Sequence, residues 1–235
     1  AATQATAKNV IITEYNRSVQ GFIIGEVKNI VNTSWGTIQP PPSGIGKSNY
    51  LTAITQVNVE GKQELVEIID VEKVLAEIID YDTSISEEVL DKDIVNHFLG
   101  KKVLIVDDSG TARKQMKDTL EQLGIIIIER KNGAQALALL KKWADEGKNP
   151  TDEILLMFTD AEMPEMDGYR LTSEVRNDPR MNNLFIALNT SLSGSFNDAM
   201  VEKVGCDRFI SKFQPDMLVD VAQQRLREYL SSLNK

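Results

Sequence analysis

A chain of 235 residues, 42% hydrophobic and 26% charged, has room for one large domain or two modest ones, and its balance is that of a soluble globular protein. A net charge of −9 without any basic patch argues against nucleic acid or an anionic membrane as partner. No apolar run approaches the ~20 residues of a membrane span, no signal peptide is visible, and the single cysteine, Cys206, excludes an internal disulfide; a reducing cytoplasm is the expected compartment.

The charge is uneven. Residues 1–97 carry 14 Asp and Glu against 7 Lys and Arg, so this stretch holds most of the acidic excess. Its first part reads as β structure. Val10–Tyr15, Val19–Ile24, Tyr50–Val57 and Glu64–Ile69 are short, rich in β-branched residues and separated by turn signals at Asn16–Ser18 and Glu60–Lys62. Such spacing suggests a small barrel. Asp70–Ile79 has helical apolar spacing, and the acidic, weakly periodic stretch Asp82–Asn96 reads as a connecting helix. Gly44-Ile-Gly-Lys-Ser48 mimics the end of a phosphate-binding loop, but the required first glycine is Pro41, which has no N–H to offer. A rigid proline–glycine loop is the better reading. His97 is the only histidine, so a multi-histidine metal site within one chain is excluded, and the chain cannot easily phosphorylate itself through a histidine.

From residue 101 strand and helix alternate. Lys102–Val106, Ile125–Ile128, Ile154–Thr159, Leu184–Leu188 and Arg208–Ser211 are apolar strand candidates. Ser109 is a plausible N-cap for a helix to Leu123, with Gly124 as its stop, and Ala134–Glu146 is a strong helix. Five strand–helix units with right-handed crossovers give a doubly wound parallel sheet.

Four of these strands end on polar residues: Asp107-Asp108, Asp160, Thr190 and Lys212. Open α/β sheets bind ligands outside the carboxyl ends of their strands. Three carboxylates gathered there repel one another and invite a hard cation, while a lysine and a hydroxyl suit an anion beside it. The pattern reads as a phosphoryl site with Mg²⁺, which takes oxygen ligands from only one or two carboxylates and keeps several waters. Asp108 is assigned as a direct ligand and Asp107 as the holder of a ligand water. Asp160 is assigned one oxygen for the metal and one for nucleophilic attack, Lys212 the third side, and Thr190 a phosphoryl oxygen.

With these residues in place, residues 101–233 resemble a response-regulator receiver domain. Val106-Asp-Asp-Ser109 matches the acid pair of that family, Asp160-Ala-Glu-Met-Pro-Glu-Met-Asp-Gly168 its phosphoacceptor loop, and Asn189-Thr-Ser191 its switch hydroxyl. Lys212 matches its lysine and Phe209 its aromatic switch position. The resemblance implies a flavodoxin-like five-stranded fold, phosphorylation at Asp160, and the backbone carbonyl of Glu162 as a further Mg²⁺ ligand. It also implies that Thr190 moves toward the phosphoryl group and Phe209 fills the vacated space. Two departures stand out. Phe213 replaces the usual proline after the lysine, where a cis bond would cost ~3 kcal/mol. Glu162 puts a carboxylate beside the path of the hydrolytic water.

Residues 9–80 resemble the second half of a CheW-like coupling domain, an SH3-like barrel half, through Ile11–Phe22, Trp35, Pro40-Pro-Pro42, Tyr50–Ala53 and Leu65–Leu75. The combination resembles the two-domain chemotaxis adaptors of the CheV type, with the first half of the coupling domain expected to be absent and apolar surface exposed in consequence. The expected organisation is a partial coupling domain over 1–81, a linker over 82–100 and a receiver over 101–235. The implied function is a non-enzymatic adaptor linking the chemoreceptor cytoplasmic tip to the histidine kinase CheA, its phosphodonor. The alternative is a phosphate sink that drains the kinase, with the coupling domain as tether. A hydrolase with an Asp nucleophile is disfavoured by the separation of the acid pair from Asp160, and a transcription factor by the lack of a DNA-binding segment after the receiver. The oligomeric state is left open.

Overall fold

A computed structural model describes residues 9–15, 18–39, 50–59, 61–69, 71, 74–75, 82–190, 204–211 and 214–233. The chain divides into two units, Ala1–Ile78 and Ile79–Lys235.

The first unit is antiparallel β structure, as its β-branched runs predict. β1 (Asn9–Tyr15) pairs with β2 (Ser18–Ile24), and β3 (Leu51–Val59) pairs with β4 (Lys62–Ile69). They form two separate two-stranded sheets. The turn into β4 uses Gly61 at φ 85°, a conformation that a side chain would strain. A 3₁₀ turn at Trp35–Thr37 leads to a bridge between Gln39 and Ile54, and the Thr55 hydroxyl donates to the Thr37 carbonyl at 3.1 Å. Ala53, Thr55, Val57 and Leu75 are buried. In the first hairpin Val10 faces Ile23, and both are exposed, Ile23 at 72%. Of the helix expected over 70–79, the described residues 71, 74 and 75 are helical. The proline–glycine loop lies outside the described residues.

The second unit is the doubly wound sheet. In chain order come β5 (Lys102–Val106), α1 (Gly110–Glu121), β6 (Ile126–Arg130), α2 (Gly133–Asp145) and the short α3 (Pro150–Glu153). Then follow β7 (Leu156–Asp160), α4 (Gly168–Asn177), β8 (Ile186–Thr190), β9 (Arg208–Ser211) and α5 (Pro215–Leu233). The sheet order is β6-β5-β7-β8-β9, every pair parallel. Residues 191–203, between β8 and β9, lie outside the described residues.

Side chains alternate across each strand, so one run of residues builds two cores. Val103 and Ile105 face the core under α1 and α5, while Leu104 and Val106 face the core under α2 and α4. Phe158 and Met157 divide in the same way. Helix starts follow their caps: Ser109, Asn132 and Asp167 each accept a hydrogen bond from a backbone N–H three residues on.

The stretch before the sheet departs from expectation. Residues 82–98 form turns and a 3₁₀ turn at Val95–Phe98 rather than a connecting helix. Asp82 accepts from the Ser84 N–H and Asp91 from the Asp93 N–H. Such local side-chain bonds offer the backbone an alternative to the helix ladder. Ile85, Val89, Leu90, Ile94 and Val95 pack against the α1–α5 core, and Phe98 is wholly buried within it.

Two substitutions test this packing. Phe98→Ala should destabilise the second unit by about 3–5 kcal/mol in urea denaturation, the usual cost of emptying a buried phenyl site. At Gly168 a Cβ would lie 2.1 Å from the Asp160 carbonyl oxygen and 2.7 Å from Leu188 Cδ2. Gly168→Ala should therefore cost about 1–3 kcal/mol by overpacking, read from the same transition.

Candidate functional site

Parallel register decides where the strands end. Val106 pairs with Thr159 and Asp160 with Asn189, so Asp107 follows β5 beside the end of β7. Thr190 pairs with Ser211, one residue before Lys212. Asp107, Asp108, Asp160 and Thr190 thus meet at one edge of the sheet. Lys212 and Phe213 lie outside the described residues, so their placement is the expectation carried by register.

Asp107 and Asp160 are buried and Asp108 is exposed. One carboxylate oxygen from each of the three lies within 4.8 Å of the others. Three hard oxygen donors in that space, one open to solvent, fit a cation of the Mg²⁺ class. Two carboxylates at such a separation repel by about 3 kcal/mol at an effective dielectric near 20. The fold counters this locally. Asp107 accepts the Ser109 N–H at 2.8 Å, and Asp160 accepts the Glu162 N–H at 3.3 Å. The Arg113 guanidinium donates to the carbonyls of Asp107 (2.6 Å) and Asp108 (3.1 Å). Its Nε donates to Glu129 at 3.3 Å, at the end of β6. Arg113 was not singled out by the sequence. The available signal was its place on the first turn of the helix that follows the acid pair.

The loop after Asp160 is fixed at both ends. Ala161 donates to the Asn189 carbonyl at 2.8 Å, and Gly168 donates back to Ala161 at 3.1 Å. Glu165 sits at φ 66°, a left-handed conformation unusual for a side chain. Its carboxylate accepts from Asn132 Nδ2 at 3.0 Å while the Gly133 N–H donates to the Met166 carbonyl at 3.0 Å. The α2 N-terminus therefore anchors this loop, a role that composition does not reveal.

Thr190 is fully buried at the end of β8. Beside it, Asn189 is buried with Nδ2 3.8 Å from Met116 Sδ. Phe209 is half-buried on β9, its ring 6.4 Å from that of Tyr169. Burial, then the nearby Glu162 and Asp167 carboxylates, push the Tyr169 hydroxyl above its usual pKa. Cys206 is buried and its thiol is pushed up to about 11, chiefly by that burial, so it is a packed neutral group rather than a nucleophile. His97 is exposed on the 3₁₀ turn before β5, at the opposite end of that strand from the acid pair.

Residues 103–223 match the response regulator receiver domain, and residues 1–78 match the CheW-like domain. The chain is 29% identical to the chemotaxis protein CheV3 of Helicobacter pylori over 91% of this chain and 68% of that protein. It is 33% identical to CheV1 of the same organism over 92% of this chain and 66% of that protein. The chain thus spans about two thirds of the length of these relatives. A solved receiver domain of the Arabidopsis thaliana histidine kinase CKI1, complexed with Mg²⁺ and BeF₃⁻, matches with a TM-score of 0.48 and 27% identity. That match covers 59% of this chain and 95% of the other. With the acid cluster and the parallel sheet beneath it, the chain belongs to the response regulator receiver family, and it carries a CheW-like domain ahead of the receiver.

Proposed function

We propose that this chain is a phosphorylation-controlled chemotaxis adaptor. In this reading the CheW-like unit couples chemoreceptors to a CheA-type histidine kinase in the cytoplasm, at receptor arrays. The receiver adjusts that coupling by accepting a phosphoryl group. The observation that carries the reading is the convergence of Asp107, Asp108 and Asp160 within 4.8 Å, in a chain that matches receiver and CheW-like families. No helix among the described residues is long and apolar enough to cross a membrane.

The reaction class follows from the residues. A carboxylate oxygen of Asp160 attacks phosphorus in the phosphohistidine of the donor; the P–N bond breaks and the imidazole nitrogen keeps the electron pair and takes a proton. The product is an acyl phosphate, which water later hydrolyses. Asp108, Asp160 and the Glu162 carbonyl would hold Mg²⁺, with Asp107 holding one of its waters, and the ion would supply charge neutralisation for the phosphoryl oxygens. The Arg113 clamp keeps the acid pair in position before and after transfer. Thr190 donates its hydroxyl to a phosphoryl oxygen and Lys212 pairs with another, and the loss of Thr190 from its resting place draws Phe209 inward. This local charge event biases a two-state surface and involves no substrate turnover beyond the loss of the phosphoryl group.

Two measurements check this reading. Incubation with phosphorylated CheA-type kinase and Mg²⁺ should add one phosphoryl mass to the wild type and none to Asp160→Asn; a phosphoryl mass on the variant refutes the acceptor assignment. Glu162 is exposed two residues after the acceptor. Removing its charge in Glu162→Asn should relieve ~1 kcal/mol of repulsion on the hydrolytic transition state and shorten the acyl-phosphate lifetime several-fold. An unchanged lifetime would show that the carboxylate plays no part.

A further inference from the structure

Residues 82–98 join the CheW-like unit to the receiver sheet, yet they make the contacts of a docked ligand. The segment lies along the face between α1 and α5. At its start the Thr83 carbonyl accepts from Gln122 Nε2 at 2.8 Å and from the Thr119 hydroxyl at 3.4 Å, both of the α1 region. It then reaches α5. The Ser86 N–H and hydroxyl donate to the two oxygens of Asp216 at 3.0 and 2.7 Å. Gln223 bonds both ways, accepting the Asp91 N–H at 2.7 Å and donating to the Val89 carbonyl at 2.9 Å. Arg227 pairs with Asp91, midway along the segment, at 2.7 Å. Between these polar points Ile85, Val89, Leu90, Ile94 and Val95 cover the core, and Phe98 is the buried anchor.

Two features separate this from a passive connection. Gln223 is almost wholly buried, and its side chain is used on both donor and acceptor by the segment backbone. A buried amide left unpaired is costly, so the helix residue and the segment are matched to one another. Moreover Asp216 lies in the first turn of α5, four residues after Lys212. The Ser86 clasp therefore ties the start of α5, which follows closely on β9 in the chain, to the end of the segment that comes next after the first unit in the sequence.

We infer that the α1–α5 face is an intramolecular docking surface, occupied by residues 82–98, and that the Ser86–Asp216 clasp makes the docked segment respond to the state of the phosphoryl site. The second half of this inference rests on the phosphoacceptor reading above. An anion bound at Asp160 draws on Thr190, which is paired with Ser211 at the end of β9, and the first turn of α5, a few residues further along the chain, shifts with it. The Ser86 bonds then change, and the amides from Thr83 to Asp91 loosen or tighten as one unit, while Phe98 keeps the segment attached. Stated chemically, the input is a tetrahedral phosphoryl-like anion with Mg²⁺, and the output is the order of the segment that carries the CheW-like unit.

Hydrogen–deuterium exchange on the full chain tests both halves, with ¹⁹F NMR reporting beryllofluoride bound in the presence of Mg²⁺. Without ligand, the Ser86 and Asp91 amides should exchange at least tenfold more slowly than unstructured peptide. Protection should fall in Ser86→Ala and Asp91→Ala without change in the strands β5 and β7. Exchange of 83–91 at the unstructured rate in the wild type would overturn the docking. On binding beryllofluoride, exchange over 83–91 should change several-fold in the wild type and remain constant in Ser86→Ala, which leaves the phosphoryl site intact. Bound beryllofluoride with no change in the wild-type segment would overturn the coupling. Failure of beryllofluoride to bind would overturn the phosphoacceptor reading and the coupling with it, and the docking would be decided by the ligand-free exchange.

Discussion

The second unit is organised around the enforced proximity of carboxylates. Asp107 and Asp160 are buried side by side with Asp108 at the rim, an arrangement that each isolated strand would avoid. What overcomes the repulsion is the parallel sheet beneath. Its strands are apolar on both faces, so sliding one by a residue would turn buried side chains toward the wrong core. Register is therefore expensive to change, and register is what aligns the strand ends. The stability of the two cores is in this sense the source of the electrostatic tension at the site.

That tension is managed by neighbours rather than by the acids themselves. Arg113 ties the carbonyls of the acid pair to Glu129 across the end of the sheet. The α2 N-terminus holds the loop after Asp160 through Asn132, Gly133 and the left-handed Glu165. Gly168 lets that loop close against the Asp160 carbonyl, where no side chain would fit. Under the proposed function, a site preorganised in this way would take its cation and phosphoryl group with the acid pair already in place, leaving the binding energy to act on neighbouring elements.

Thr190 ends β8 and Phe209 lies on β9, the two strands that lead toward α5. The docked segment meets α5 at its first turn, at Gln223 and at Arg227. It thus contacts the helix that follows β9 in the chain. The first unit is of a different character. Its hairpins leave Val10, Ile12, Val19 and Ile23 exposed, and few of its described residues are buried. An apolar strand surface of this kind is suited to packing against further protein.

The sequence alone determined the strand–helix alternation, the Ser109 cap with its Gly124 stop, and the identity of the polar residues at the strand ends, because these are local properties read within a few residues. It also determined which residue types could do the chemistry, since carboxylates, a hydroxyl and a lysine have few joint uses. It did not determine the behaviour of residues 82–98. Their weak period and acidic composition suit a surface helix, and only the groove between α1 and α5, the second of which follows more than a hundred positions later, gives Ile85, Val89 and Phe98 a place to be buried. Arg113, Asn132, Glu165 and Gly168 were likewise silent, because each acts on a partner brought near by folding. Tertiary structure decided the distance between the acid pair and Asp160, which stand some fifty residues apart in the chain and share one edge of the sheet. Local preference fixes what a segment can be; long-range packing fixes what it stands beside.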